Sequence, residues 1–259
     1  MRRPGPRGTW RPRQASGAVI ALTLMIAACT ASFGDGGPGP NAPRPVTVAE
    51  SRLLADVRLR NLDAGSRAIS ATYTDQDREM RLSGWFDFRT RTGYGMVSAD
   101  GLPSDRVAWN DELVATSAAG SMGKPLTSLD GWVAAPLDPG RSPLAVVLAV
   151  VAGLGAERPD DAALIRAGGA LRLREDEAGG EPVTVFTGPA PVGAGAADRT
   201  PAAPDTSPLR YWVDEDGLAH RVDVRLGEDW AEVTLENDDV PVPPLLAELD
   251  LDAGGERAG

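Results

Sequence analysis

"LRYWVDEDGLAHRVDVRL", residues 209–226, decides the fold. Two runs of side chains flank Asp216-Gly217, an acid–glycine pair that suits a tight reversal. In the second run His220, Val222, Val224 and Leu226 alternate with Arg221, Asp223 and Arg225. A period of two is a strand with one dry face and one wet face. A third run follows, with Ala231, Val233 and Leu235 on a single face. Strands this close in sequence pair antiparallel, because a parallel pair needs a long crossover.

The same period recurs upstream. "MRLSGWFDFRT" (80–90) puts Met80, Leu82, Phe86 and Phe88 on one face, and Arg81, Ser83, Asp87 and Arg89 on the other. After a tight turn comes "GYGMVSA" (93–99), in which Tyr94 and Met96 share a face. Val107 and Trp109 precede a turn at Asn110-Asp111, and residues 113–116 return. Two further strands are predicted over 171–174 and 183–187. The sheet is therefore mainly antiparallel, dry on one side and wet on the other.

Three helices are predicted beside it. Thr47 and Glu50 form a capping box, and residues 48–64 read as a helix that Gly65 stops. Ser142 and Pro143 are an N-cap and first-turn proline for residues 144–154. Asp160 opens a shorter helix through Arg166, closed by Gly168-Gly169. The middle helix is apolar all round. Leu144, Val147, Leu148, Val151 and Leu154 make one face, and Ala145, Val146, Ala149, Val150 and Ala152 fill the rest. Such a helix must be covered on every side. Three covers fit: the core of a two-layer α+β domain, an apolar ligand held over a concave sheet, or a membrane.

The N-terminus carries a different signal. Arg2, Arg3, Arg7, Arg11 and Arg13 stand without an acid, and an apolar run from Gly17 to Ala28 follows. That is a secretory signal over residues 1–28; the run is too short to span a bilayer, which takes about 20 residues. Sec and Tat export both remain open. Cys29, the only cysteine, ends this segment. With no second cysteine there is no disulfide, so the fold rests on a hydrophobic core. Loss of the five signal arginines carries the formal charge from −11 to about −16. That charge argues against a nucleic-acid partner and against broad adhesion to anionic lipid. Residues 29–46 are rich in Gly and Pro and read as a flexible tether. The folded domain spans 47–240, with a mobile loop at 188–208 and an acidic, frayed tail at 241–259.

Catalytic chemistry is hard to find. His220 is the only histidine, and its place beside a turn suits a packed or edge residue. No serine stands in a G-x-S-x-G elbow, and no glycine-rich phosphate loop follows a strand. The carboxylate runs at 160–161, 175–177, 214–216 and 238–239 fall at turns or element ends, without the alternating loop and closing Glu of a calcium site. We expect no catalytic residue, no metal and no cofactor; glycosidase-like carboxylate pairs stay possible in principle, because they meet only in three dimensions.

Two resemblances give this pattern a meaning. Ile26-Ala27-Ala28-Cys29 resembles the lipobox of bacterial lipoproteins. The resemblance implies a diacylglyceryl thioether on Cys29, cleavage before it and usually an acylated new N-terminus. The alternative is an ordinary signal peptide with an incidental cysteine. Within the domain, the order of helix, hairpins, "VAWNDELVATS" (107–117), "LDGWVAAPLDPGRSPLAVVLAVVAGLGA" (129–156) and the final meander resembles the actinobacterial LppX/LprAFG lipoproteins, relatives of the LolA/LolB fold. That resemblance spans about residues 47–240. It implies an α+β fold: a strongly curved antiparallel sheet, an incomplete β-barrel, with helices packed in its concave face.

Several members of that family hold acylated lipids or glycolipids in the hollow, and the family is linked to lipid or lipoprotein traffic across the envelope. Carried to this chain by alternation, the lining would be Leu82, Phe86, Phe88, Tyr94, Met96, Trp109, Val147, Leu148, Val151, Val222 and Val224. The implied protein is anchored to the cell membrane through Cys29, faces the extracytoplasmic side and binds or carries an acylated lipid or lipoprotein without a covalent step. The other implied role is an envelope protein-interaction or sensor module, with the same fold and a filled core.

Overall fold

The computed structural model describes residues 42–118, 126, 128–188, 207–238 and 240–242. The signal segment, Cys29, the tether up to residue 41, the greater part of the 188–208 loop and the tail beyond Val242 lie outside the described residues.

Twelve strands form one sheet in which every pair is antiparallel. They are β1 (Arg44–Pro45), β2 (Ser66–Asp75), β3 (Arg78–Asp87), β4 (Thr92–Ala99), β5 (Asp105–Trp109), β6 (Leu113–Ser117) and β7 (Val133–Pro136). The second half supplies β8 (Leu171–Ala178), β9 (Glu181–Thr187), β10 (Leu209–Val213), β11 (Ala219–Leu226) and β12 (Asp229–Asn237). Their spatial order is β1-β8-β9-β10-β11-β12-β2-β3-β4-β5-β6-β7. β1 and β7 are the two edges and do not pair, so the sheet stays open. The final meander reads as expected: Val222 faces Val233, and Val233 faces Ala71.

Among the described residues three helices join the strands: α1 (Val48–Ala64), α2 (Pro143–Gly153) and α3 (Ala162–Ala167). The capping box of α1 forms as the sequence requires, with Glu50 N donating to Thr47 Oγ1 and Thr47 N to the Glu50 carboxylate. Ser142 caps α2. The N-cap of α3 is Asp161 rather than Asp160, since its carboxylate accepts from Ala163 N and Leu164 N. Asp160 is turned instead to Arg58 of α1, at 3.1 Å.

One buried cluster joins Phe186 of β9, Val224 of β11, Ile69 of β2 and Trp109 of β5 with Leu54 and Val57 of α1 and Val147 and Val151 of α2. Strands seven places apart in the sheet, β9 and β5, thus close on the same two helices, and the sheet curves around them. Each fully buried side chain of this size contributes about 1.5–3 kcal/mol.

The expected wet face is only partly wet. Tyr94, Ala108 and Ala115 make a second buried cluster with Leu126 and Val242, and Leu171, Leu173, Val183, Val185 and Trp212 make a third. Both lie on the outer face. Leu126 and the segments 128–132 and 240–242 shield part of it where helices do not. Ordered structure consequently runs slightly past the expected limits: Val242 is buried, and Ser66 Oγ donates to Val240 O at 2.6 Å. At the other end β1 pairs with β8 ahead of Thr47, because Arg44 grips Glu50 with both guanidinium nitrogens and Val46 is buried.

Candidate hydrophobic site between sheet and helices

The site begins with glycines. On the inner face Gly93 pairs with Phe86 on one side and Trp109 on the other. A Cβ there would fall 2.5 Å from Phe86 Cδ2 and 2.7 Å from Trp109 Cζ2, so only glycine leaves room for both rings. Phe86 then meets Phe88 edge-on at 5.0 Å and Trp109 at 5.6 Å between centroids. Gly155, just past α2, sits directly over Phe88. An aromatic floor therefore lies beneath the C-terminal end of α2.

Leu82, Phe86, Phe88, Trp109, Val147, Leu148, Val151, Val222 and Val224 all belong to this inner cluster, and none is more than 2% exposed. Tyr94 and Met96 do not. The register sets Trp85 against Tyr94 and Ser83 against Met96, so both lie on the outer face. Tyr94 packs on Trp85 there, at 5.5 Å. The inward positions of β4 are Gly93, Gly95 and Val97.

The side chains of this inner cluster pack on one another and are closed to solvent. Two clefts stand out among the described residues, and neither is lined by α1 or α2. One, of about 430 Å³, is polar and lined by Glu177, Glu181, His220, Arg221, Glu232 and Glu236 among others. The other, of about 200 Å³, lies on β12, β2 and β3 beside Ser70, Ser83 and Trp85.

A polar knot borders the apolar interior. Arg67, on the inner face of β2, is completely buried. Its Nη1 donates to Ala219 O at 2.5 Å and Asn61 Oδ1 at 3.1 Å, and its Nη2 to Leu235 O at 2.6 Å. Burial pulls the guanidinium pKa down to about 10, against the opposing pull of Asp214 and Glu236. Asn61 Nδ2 in turn donates to Leu154 O at 3.1 Å. Sequence reasoning missed both residues. The available signal was period two: Arg67 falls in step with Ile69, Ala71 and Tyr73.

The described polar ties of α2 to the rest of the fold gather at its C-terminal end. Arg58 Nε donates to Gly153 O at 2.8 Å, and Ala156 N to Arg58 O at 3.1 Å. The N-terminal cap is local, with Ala145 N donating to Ser142 Oγ. Between those ends no side chain of α2 carries a polar group. The helix is tied by polar bonds at its C-terminal end and held along its length by apolar contact.

His220 is occupied: its Nε2 lies 2.8 Å from Asp214 Oδ2, at the end of β10. Among the described residues no group of three or more His, Cys, Asp or Glu is placed to hold a metal, and no helix is long and apolar enough to cross a membrane.

No protein-family model matches the sequence, and no curated protein matches it. Among solved structures the chain is similar to LprF from Mycobacterium bovis, at 14% identity and a TM-score of 0.44, covering 77% of this chain and 96% of that one. It is also similar to the Mycobacterium tuberculosis lipoprotein LppX, at 16% identity and a TM-score of 0.41, covering 74% and 98%. Both names belong to the LppX/LprAFG group that the sequence resembles.

Proposed function

We propose that this chain is an envelope lipoprotein, anchored through Cys29 on the extracytoplasmic side of the membrane, that takes an acyl chain between α2 and the curved sheet. The observation that supports it is α2. A helix without a polar side chain between its ends is fastened by polar bonds at one end only, over an apolar floor of Phe86, Phe88 and Trp109. Movement about Gly153–Ala156 lifts the N-terminal part of α2 from β2 and β11 and opens a way toward that floor without breaking a hydrogen bond inside the sheet. An acyl chain then replaces the contacts α2 gives up, at about 0.8 kcal/mol per buried methylene. Recognition by burial needs no covalent step and no fixed motif.

A second reading has its own observation. The interior is closed, with Phe86, Trp109 and Val147 wholly buried. A permanently filled core favours a module that meets an envelope protein with its surface.

Trp109 separates the two. Titration of the folded protein with phosphatidylglycerol vesicles and micellar fatty acid, compared with the Trp109→Phe variant, isolates the emission of this one ring. A saturable change that the variant lacks supports acyl-chain entry. No change, with the protein folded by circular dichroism, contradicts it and leaves the filled-core module.

A further inference from the structure

Four large apolar side chains stand strongly exposed among the described residues: Val48, Leu102, Val133 and Leu164. Two of them belong to one layer. Asp160 N donates to Ala55 O at 2.9 Å, and Val46 N donates to Ala170 O at 3.2 Å. The α3 segment therefore runs back along α1 toward its first turn. That brings Leu164, 68% exposed, to the same end of the layer as Val48, 51% exposed.

Charge at this end departs from that of the whole chain. Arg52, one turn on from Val48, and Arg166, beside Leu164, are exposed and have no carboxylate partner among the described residues. Nearby acids are engaged: Glu50 by Arg44, Asp160 by Arg58, and Asp161 at the cap of α3. Asp56 is half-buried a turn beyond Arg52, and Glu157 lies before α3. A chain of formal charge −11 would be held off an anionic surface by its general field. Exposed arginines beside exposed aliphatics are the local exception.

The chain also enters the domain here. Arg44–Pro45 is pinned to Arg172–Leu171 of β8, and the buried Val46 leads straight into α1. Cys29 precedes Arg44 by about 15 residues, which span at most roughly 50 Å when fully extended. An anchor at Cys29 thus keeps this end within reach of the bilayer.

We propose that the Val48–Leu164 end of the α1–α3 layer is a membrane-docking surface, with Val48 and Leu164 entering the headgroup region and Arg52 and Arg166 meeting anionic lipid phosphates. It rests on the anchoring at Cys29 proposed above. Docking fixes the orientation of the domain, with the β1–β8 edge and the first turn of α1 toward the bilayer and the β5–β6 turn away from it.

The test uses the full lipidated chain in vesicles of phosphatidylcholine and phosphatidylglycerol at about 7:3. Lipidation consumes the only native thiol, so an environment-sensitive fluorophore labels one introduced cysteine, at Leu164→Cys or at Glu112→Cys in the β5–β6 turn. Both positions are exposed, so both variants are expected to fold. The expected result is a blue shift at position 164 and several-fold stronger quenching there by bilayer-embedded quenchers than at 112. Both effects weaken in pure phosphatidylcholine and in the Arg52→Ala/Arg166→Ala background. A chain that floats with the vesicles while position 164 stays as wet as 112 overturns the docking surface alone. A chain that fails to float, and whose Cys29 takes the label, overturns the anchoring and the docking surface together.

Discussion

Arg67 Nη1 donates to Asn61 Oδ1 at 3.1 Å inside the protein, and through this contact the sheet is tied to α2. Asn61 passes the connection to Leu154 O, just past α2, while Arg67 reaches Ala219 O and Leu235 O on β11 and β12. The knot lies at the end of α2 that the proposed opening keeps fixed.

Asn61→Ala should therefore cost about 2–3 kcal/mol, because it strips one acceptor from a buried guanidinium and leaves Leu154 O without its donor. Urea unfolding measures the loss. Amide exchange adds a local readout: protection at Ala156, whose N–H bonds Arg58 O, should fall by more than the global loss explains.

Glu50 sets the acid response at the N-terminal edge. Its side-chain hydrogen bonds to Arg44, chiefly, hold its pKa down to about 2 against the penalty of burial. A carboxylate with a depressed folded-state pKa adds stability above its unfolded value, near 4.5, and loses it as pH falls toward 2. Arg44 is 39% exposed, so solvent screening limits the contribution to about 1 kcal/mol. Glu50→Gln should be less stable than wild type by that amount at pH 7, and the gap should shrink as pH falls from 4.5 toward 2. A gap that is unchanged by pH would assign the loss to the capping geometry alone.

Gly93→Ala should destabilise by about 2–3 kcal/mol and shift the near-ultraviolet signal of Trp109, because the added methyl group meets Phe86 and Trp109 at once. Gly227→Ala is the control. Its Cβ meets nothing within 4 Å, and the cost is only that of a positive φ of 67°. Thermal unfolding of the two variants should rank them in that order.

The parts of this fold that were legible in sequence are those set by local periodicity. Ala231, Val233 and Leu235 alternate within one strand, Thr47 and Glu50 are three residues apart, and Ser142 precedes a proline; each decides its own neighbourhood. The misplacement of Tyr94 and Met96 has a different origin. Alternation fixes which residues of a strand share a face, but the phase between two strands is set by the turn that joins them. Here the turn after Asp87 pairs Phe86 with Gly93, so glycine faces inward and tyrosine outward. Apolar character pointed the other way, and nothing local shows that Phe86 and Trp109 need the space a glycine leaves. The outer-face clusters were hidden for a related reason: Val242 and Leu126 cover strands far from them in sequence. Arg67 was legible in phase and illegible in role, because its acceptors come from α1, β11 and β12.

The central claim is that an acyl chain enters between α2 and the sheet and replaces the contacts that α2 makes in the closed form. The most direct measurement is native mass spectrometry of the full-length protein purified from its own host under gentle conditions, with extraction and identification of whatever is bound. The account predicts about one acylated lipid per chain, beyond the covalent anchor, released when α2 is unfolded. A protein that is folded, anchored and free of lipid would contradict it.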